Sequence, residues 1–147
     1  MHTRVVTATD DSTLKEALAI MIKNDTNGLV IVDKDNHVVG ILSSFDVIRY
    51  IVPDYLEEDK HLASFEAADV FLSRIKETAD HPIKNFMTSH VHVVHPNSSL
   101  MEAAALASEY RIRQLPVVDE HGALVGYLSR TNIKRAIGDA LGILQKP

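Results

Sequence analysis

The sequence has no cysteine among its 147 residues. This absence excludes disulfides, thiolate metal sites and a cysteine nucleophile. No apolar run approaches the roughly 18 residues that a membrane-spanning helix requires, and no signal peptide is visible. Lys and Arg number 15 against 20 Asp and Glu, and the formal net charge of -5 argues against a generally basic nucleic-acid-binding domain. A globular protein remains, and we expect it in the cytoplasm.

The sequence repeats itself at a fixed spacing. The segment Val39–Ser43 has the same pattern as Val125–Ser129, and the same offset holds without a gap across the whole segment from residue 5 to residue 51. Chance similarity rarely keeps one register over such a length, so self-similarity of this kind indicates a structural repeat. We therefore predict a first repeat at about 5–51 and a second at about 91–137.

Each repeat is predicted to have the element order β-α-β-β-α. The predicted strands are Arg4–Ala8, Leu29–Val32 and Val38–Leu42 in the first repeat, and Val91–Val94, Leu115–Val118 and Leu124–Leu128 in the second. The first helix follows a Ser/Thr-x-x-Glu pattern at Thr13 and Ser99, which is typical of a capping box. A last helix begins near Ser43 and Ser129. This order predicts a mixed α/β (α+β) fold, and because one repeat is small we expect the two to share a buried face about a pseudo-two-fold axis.

A patterned segment interrupts the repeat. Pro53 ends the preceding helix. Apolar residues that include Phe65 and Leu72 then recur at helical spacing, which predicts an inserted amphipathic helix over about 62–77 with Phe65 buried. The predicted division of the chain is 1–52 for the first unit, 53–90 for a helical linker and leader, and 91–147 for the second unit.

Two ordered motifs resemble a known family. Leu115–Asp119 followed by Val125–Asn132 resembles the signature of a CBS domain, the domain named after cystathionine β-synthase. In the first repeat, Leu29–Asp33 followed by Val39–Asp46 is similar. The resemblance covers both repeats and implies a tandem CBS pair, also called a Bateman module. Such pairs commonly bind adenosine-containing ligands in clefts between the two domains and commonly form disc-like homodimers.

The resemblance implies a binding tetrad at the start of each last helix. The family places Ser or Thr, two residues, and then Asp or Asn there, and the matching positions are Ser43 with Asp46 and Ser129 with Asn132. An Asp carboxylate can accept hydrogen bonds from both ribose hydroxyls, whereas Asn has one acceptor oxygen and an NH2 donor. A serine hydroxyl beside helix N-terminal amides suits a phosphate. The tetrad is also an ordinary helix N-cap, which is the alternative interpretation.

Further residues complete the predicted nucleotide-binding set: Thr7, His92, Arg113, Pro116 and Arg130. Thr7 matches a first-strand threonine of the family, whereas Val93 stands at that position in the second repeat. Arg130 could reach a phosphate as a charge-assisted donor. Val30 stands where the second repeat has Pro116, so we predict that the two clefts are not equivalent.

The resemblance therefore implies a regulatory module that binds AMP, ADP or ATP and requires no cofactor. Binding would change the arrangement of the units and alter an unidentified effector protein in trans. The alternatives are a ligand-free structural or dimerisation module, and a sensor of S-adenosylmethionine or a cyclic dinucleotide. We expect a homodimer through apolar residues of the last helices, such as Ile137, and neither a membrane nor a nucleic acid as partner.

Histidines offer the one hint of a metal site. His81, His90, His92 and His95 cluster in the sequence, and imidazoles can bind Zn²⁺ or Ni²⁺. No His-Glu-x-x-His motif and no carboxylate with evident ligand spacing accompany them, so we predict no metal site. The sequence also lacks a Gly-x-Ser-x-Gly elbow and a Walker-type loop. Because no catalytic site is assembled, we predict that the protein is not an enzyme.

Overall fold

The computed structural model describes residues 3–52 and 68–143. These residues fall into two compact units. Unit A comprises the described residues of 6–33 and 39–90, and unit B comprises those of 1–5, 34–38 and 91–147. Both units combine helices with a small sheet, which confirms the predicted α+β class. Within the described ranges, no helix has both the length and the apolar character needed to cross a membrane.

Unit A contains most of the first repeat. Its elements are β1 (Thr7–Thr9), α1 (Leu14–Lys23), β2 (Gly28–Val32), β3 (Val38–Ser43), α2 (Ser44–Ile51), α3 (Ala68–Thr78) and a 3-10 turn (Ile83–Asn85). Of β3, the first residue, Val38, falls in unit B and the rest in unit A. The three strands form one sheet in the order β1-β2-β3. β1 runs parallel to β2, with Thr7 opposite Val30. The crossover between these two parallel strands is α1, as the repeat pattern predicts.

The core of unit A follows from helical and strand periodicity. α1 buries one face at helical spacing, and its N-cap Thr13 accepts a hydrogen bond from the Glu16 backbone N–H at 3.2 Å. β2 is buried along Leu29–Val32, as expected for a strand covered on both sides. The buried cluster is completed by residues of the other elements: Ala8, Leu14, Ala17, Met21, Leu42, Val47, Ile51 and Ile83.

Unit B contains the second repeat. Its elements are α4 (Leu100–Tyr110), β4 (Gln114–Val118), β5 (Leu124–Ser129) and α5 (Arg130–Ala140). β4 and β5 form an antiparallel hairpin, with Leu115 opposite Leu128. Its buried cluster is smaller than that of unit A and consists of Val94, Ala103, Leu115 and Val117.

Hydrogen bonds hold two turns of unit B. The turn between β4 and β5 is held by Asp119, whose Oδ1 accepts from the backbone N–H groups of His121 and Ala123, both at 2.9 Å. The Asn36 side chain donates through Nδ2 to the Leu124 carbonyl at 3.1 Å, and the Leu124 N–H donates to the Asn36 carbonyl at 3.0 Å.

The prediction of a full first strand in the second repeat was wrong. Val94 forms a single parallel bridge with Val117, and its N–H donates to the Pro116 carbonyl at 3.0 Å. In the first repeat the ladder continues, because the Val30 N–H donates to the Val6 carbonyl at 3.2 Å. Pro116 occupies the position of Val30 and has no N–H to donate. The ladder therefore stops at Val94.

The linker helix is confirmed only in part. α3 covers Ala68–Thr78, and Phe65 lies outside the described residues. Leu72, predicted on the buried face, is 53% exposed. Thr78 is instead fully buried, and Ile75 packs against the core of unit A. Arg74, which bonds to backbone carbonyls at the end of α2, accounts for this orientation of the helix.

Candidate functional site

α2 begins with a reciprocal cap between Ser43 and Asp46. Ser43 ends β3 in an extended conformation, and its Oγ accepts a hydrogen bond from the Asp46 backbone N–H at 3.2 Å. The Asp46 Oδ2 accepts one from the Ser43 backbone N–H at 2.9 Å. Both bonds satisfy donors that a helix start leaves without an intrahelical acceptor. The negative charge at this end also interacts favourably with the helix dipole.

The second carboxylate oxygen of Asp46 keeps its capacity to accept hydrogen bonds. Its Oδ1 lies 3.9 Å from Nη1 of Arg49, whose side chain is 69% exposed. Such a distant and solvent-screened ion pair is weak. Oδ1 can therefore accept hydrogen bonds from the hydroxyl groups of a ligand.

The same cap recurs at the start of α5, but it leaves a different hydrogen-bonding group of the capping side chain available. Ser129 Oγ accepts from the Asn132 backbone N–H at 3.2 Å. The Asn132 Oδ1 accepts both from the Ser129 backbone N–H at 2.8 Å and from the Ser129 hydroxyl at 2.9 Å. The oxygen of Asn132 is thus already used, and its NH2 group is what it can offer to a ligand. Asp46 presents an acceptor and Asn132 presents a donor.

In both units the residue after the cap is hydrogen-bonded to the residue directly before the first strand of the hairpin. The Ser44 N–H donates to the Asn27 carbonyl at 2.9 Å, and the Arg130 N–H donates to the Arg113 carbonyl at 3.0 Å. Ser44 also donates through Oγ to Asn27 Oδ1 at 3.4 Å, which makes a neutral polar pair. Arg113 and Arg130 are both exposed. Unit B therefore carries two cationic residues where unit A carries neutral ones.

The remaining predicted site residues lie on or beside the strands. Thr7 is half-buried on β1, and Pro116 is fully buried in β4. His92 is half-buried and stacks on Tyr110, with ring centroids 3.9 Å apart and planes inclined by 19°. Sequence reasoning singled out His92 but missed Tyr110, which belongs to no motif. A stacked pair of aromatic rings is a flat surface of the kind on which a purine base can stack.

The four clustered histidines do not bring three metal ligands together within the described residues. His81 lies in unit A, where its Nδ1 is 2.5 Å from the Tyr50 hydroxyl. His95 Nδ1 lies 3.1 Å from the Val118 carbonyl in unit B, where His92 stacks on its tyrosine. These contacts give His81, His92 and His95 structural partners.

The sequence matches one family model and resembles several known proteins. The CBS domain family model matches residues 1–53 and 83–139. The chain is 31% identical over 134 residues to the CBS domain-containing protein CBSX1, chloroplastic, of Arabidopsis thaliana. This match covers 85% of the present chain and 56% of the plant protein. It is 29% identical over 147 residues to inosine-5'-monophosphate dehydrogenase of Aquifex aeolicus, covering 95% of this chain and 25% of the enzyme. The chain thus spans little more than half of the plant relative and a quarter of the enzyme.

Solved structures show the same likeness. The crystal structure of CBSX2 in complex with AMP matches with a TM-score of 0.70 at 28% identity, covering 97% of this chain and 91% of that one. A structure of CBSX2 from Arabidopsis thaliana matches with a TM-score of 0.75 at 27% identity, covering 100% and 94%.

Proposed function

Because the chain belongs to the CBS-domain family and carries the domain twice, we propose that it is a regulatory module that binds an adenine nucleotide, namely AMP, ADP or ATP. The observation that carries the proposal is the tetrad at the start of α2, where Asp46 completes the helix cap with one oxygen and keeps the other for a ligand. CBSX2, at 28% identity, is a protein whose crystal structure contains AMP. That likeness supports the choice of adenine nucleotide as the ligand class.

In unit A the proposed role of the tetrad is to bind ribose. The Asp46 Oδ1 accepts a hydrogen bond from a ribose hydroxyl, and the Ser43 hydroxyl donates to the ligand while its oxygen caps the helix. Thr7 lies half-buried on β1 of the same unit and is assigned to the base or sugar. A hydrogen bond to a charged acceptor is worth about 1.5–3 kcal/mol, so the carboxylate is the main polar determinant.

In unit B the proposed role is to bind phosphate. Two of the first three backbone amides of α5 are already bonded, Arg130 N–H to the Arg113 carbonyl and Asn132 N–H to Ser129 Oγ. The helix amides therefore contribute less than a free helix terminus would. The guanidinium groups of Arg113 and Arg130, both exposed, supply charge-assisted donors instead.

The competing explanation is that both tetrads are helix caps and nothing more. The substitution Asp46→Asn separates the two explanations, because an amide oxygen still accepts from the Ser43 backbone N–H while the carboxylate charge is lost. Titration calorimetry of nucleotide-free protein with AMP, ADP and ATP is the experiment. Nucleotide binding predicts that Asp46→Asn weakens the affinity roughly tenfold or more while stability changes little. The cap explanation predicts an unchanged affinity.

The choice of ligand is tested by the same titrations with other compounds. S-adenosylmethionine and a cyclic dinucleotide serve as alternative ligands, and adenosine serves as a ligand without phosphate. A tight complex with either alternative, and none with the three nucleotides, would replace the proposed ligand. A flat response to every compound at millimolar concentration would indicate a structural or dimerisation module.

We extend the proposal to assembly and output. The last helices expose large apolar side chains, with Ile48 at 57% and Ile137 at 52%, and a second copy of the chain would cover them.

A nucleotide would then act on an effector protein in trans through its different affinities for two arrangements of the module. Since the matched dehydrogenase is four times as long as its matched part, we assign regulation and not catalysis to this segment. The cytoplasmic location stays a prediction.

A further inference from the structure

An aromatic stack lies at the C-terminal end of α4 in unit B. The ring of His92 stacks on that of Tyr110, the last residue of the helix, with ring centroids 3.9 Å apart and planes inclined by 19°. Tyr110 is nonetheless 49% exposed. Because the imidazole covers one face of the tyrosine ring, the opposite face is the one left to solvent. An exposed aromatic face of this kind can receive a further ring.

We propose that Tyr110 is the base-binding residue of unit B, and that the purine ring of a nucleotide stacks on its exposed face. This inference rests on the proposed nucleotide-binding function and adds to it a residue, an orientation of the ligand and a base preference. The two fused rings of a purine cover more of the tyrosine than the single ring of a pyrimidine, so a purine is the favoured base.

His92 fixes the orientation of the Tyr110 ring. A tyrosine at the end of a helix has several side-chain conformations available, and a ligand that binds it has to immobilise the ring. The stack on half-buried His92 removes much of this freedom before a ligand arrives. A base that binds to the stacked tyrosine therefore loses less free energy to ordering of the side chain.

Cationic residues directly follow the aromatic ring. Arg111 and Arg113 are exposed, and the Arg113 carbonyl accepts from the backbone N–H of exposed Arg130 at 3.0 Å. Three residues of chain span at most about 11 Å, so Arg113 lies within that distance of Tyr110. A nucleoside monophosphate has a comparable length from base to phosphate. An aromatic face beside cationic side chains thus complements a ligand that combines a flat base with an anionic phosphate.

The helix end sets the orientation of the ligand. The last carbonyls of a helix carry partial negative charge, which repels a phosphate and attracts the amino group of a base. The uncharged base is therefore the part of the ligand that suits the end of α4. The phosphate then lies toward Arg113 and Arg130.

The first repeat provides an internal comparison. Its first helix is followed by the same backbone conformation, with a φ of 48° at Asp25 and of 52° at Arg111. The side chains differ, because the first repeat has neither an aromatic ring nor a positive charge at these positions. The matching residues are Val6 for His92, Asn24 for Tyr110, Asp25 for Arg111 and Asn27 for Arg113. The combination of stack and cations is therefore a property of unit B and not of the repeat in general.

The test is titration calorimetry of nucleotide-free full-length protein with AMP and with CMP, whose base has a single ring. The variants of Tyr110 are made in the Asp46→Asn chain, in which the proposed unit A site is weakened, so that the remaining binding reports on unit B. Tyr110→Leu keeps an apolar side chain but loses the flat face, and it should weaken AMP binding roughly fivefold or more. It should also bring the AMP and CMP affinities closer together. Tyr110→Phe keeps the ring and should retain both affinities.

Proton NMR of the ligand reports on the stack itself. The H2 and H8 protons of AMP should shift upfield on binding, because stacking places them in the ring current of the tyrosine. The shift should persist in Tyr110→Phe and be reduced in Tyr110→Leu. Asn24→Ala, at the matching position of the first repeat, is the control and should change neither the shift nor the affinity. Urea unfolding establishes that each variant is folded.

The possible results separate this inference from the proposed function. If the Asp46→Asn chain binds AMP and folded Tyr110→Leu binds it as tightly with the same upfield shift, the inference fails while the proposed function stands. Complete loss of AMP binding in the Asp46→Asn chain would likewise overturn the inference alone. A changed mass of Tyr110→Leu in light scattering, with unchanged AMP affinity, would assign the tyrosine to an interface between copies. Failure of the parent protein to bind any nucleotide would remove both.

Discussion

Arg74 donates a hydrogen bond through Nη2 to the backbone carbonyl of Tyr50 at 3.1 Å. Its Nε donates to the Ile51 carbonyl at 3.2 Å, and its guanidinium lies 5.9 Å from the centroid of the Tyr50 ring. A single side chain of α3 therefore satisfies two of the last carbonyls of α2. The other end of α2 carries the Ser43 and Asp46 cap, so α3 supports the helix that holds the candidate site.

The substitution Arg74→Ala should lower the free energy of unfolding by about 1–3 kcal/mol, because two partly buried carbonyls lose a charged donor. Urea denaturation of parent and variant measures the change. Lys76→Ala, an exposed residue of the same helix, is the control and should be nearly neutral. Equal stability of the two variants would show that the Arg74 bonds contribute nothing measurable.

Gly40 is a position where a methyl group does not fit. A Cβ there would lie 2.5 Å from Sδ of Met87, so Gly40→Ala forces the methionine to move. We expect a loss of about 1–3 kcal/mol, typical of an overpacked core. The double variant Gly40→Ala/Met87→Ala should show less than the sum of the two single losses in thermal or urea unfolding. Simple additivity would contradict the predicted contact.

Arg130 should distinguish ligands by their phosphates. Arg130→Ala is expected to weaken ADP or ATP binding by roughly tenfold or more and to leave adenosine binding almost unchanged, because only the phosphate loses a charge-assisted donor. Calorimetric titrations of the variant with each compound test this. Lys134→Ala, an exposed cation one turn further along α5, is the control for general charge effects. An equal loss for adenosine and ATP would argue against a phosphate contact.

A homodimer should depend on the exposed apolar side of α5. Ile137→Asp would place a charge in the proposed dimer interface, and it should shift the protein from about twice the mass of the 16.3 kDa chain toward the monomer in light scattering. Arg135→Asp, two positions away and thus on nearly the opposite side of the helix, should leave the mass unchanged. A monomeric parent protein at micromolar concentration would remove the dimer from the proposal.

Acid should destabilise the turn that Asp119 supports. Its pKa lies below the ordinary 3.8 because the folded turn bonds to the ionised carboxylate, so that stabilisation is present above 3.8 and is lost as the pH falls below it. Asp119→Asn keeps an acceptor oxygen but does not titrate, and its stability should fall less steeply between about pH 4 and pH 2. Urea midpoints across this range measure the slope. If the stability of Asp119→Asn fell with pH as steeply as that of the parent, the ionised Asp119 carboxylate would not be what stabilises the turn.

Local patterns predicted the helix starts and both hairpins, because caps and turns depend on a few neighbouring residues. Ser43 and Ser129 begin their helices as expected, and there the structure adds the reciprocal bonds of a full capping box. Features that depend on tertiary contacts were not predicted. The stack of His92 on Tyr110 joins residues from separate elements. The loss of a strand before Val94 follows from Pro116, but only once the two segments are known to be neighbours.

The bonds between Asn36 and Leu124 also bear on how the chain folds as it is made. The side-chain bond joins residues 88 positions apart, so it closes a long loop. During synthesis from the N-terminus, the tip of the first hairpin has no partner for these groups until the segment around Leu124 has left the ribosome. A ribosome-bound chain truncated before that residue should therefore show a protease-sensitive tip at residues 34–38, and its protection should mark the moment when the second hairpin has formed.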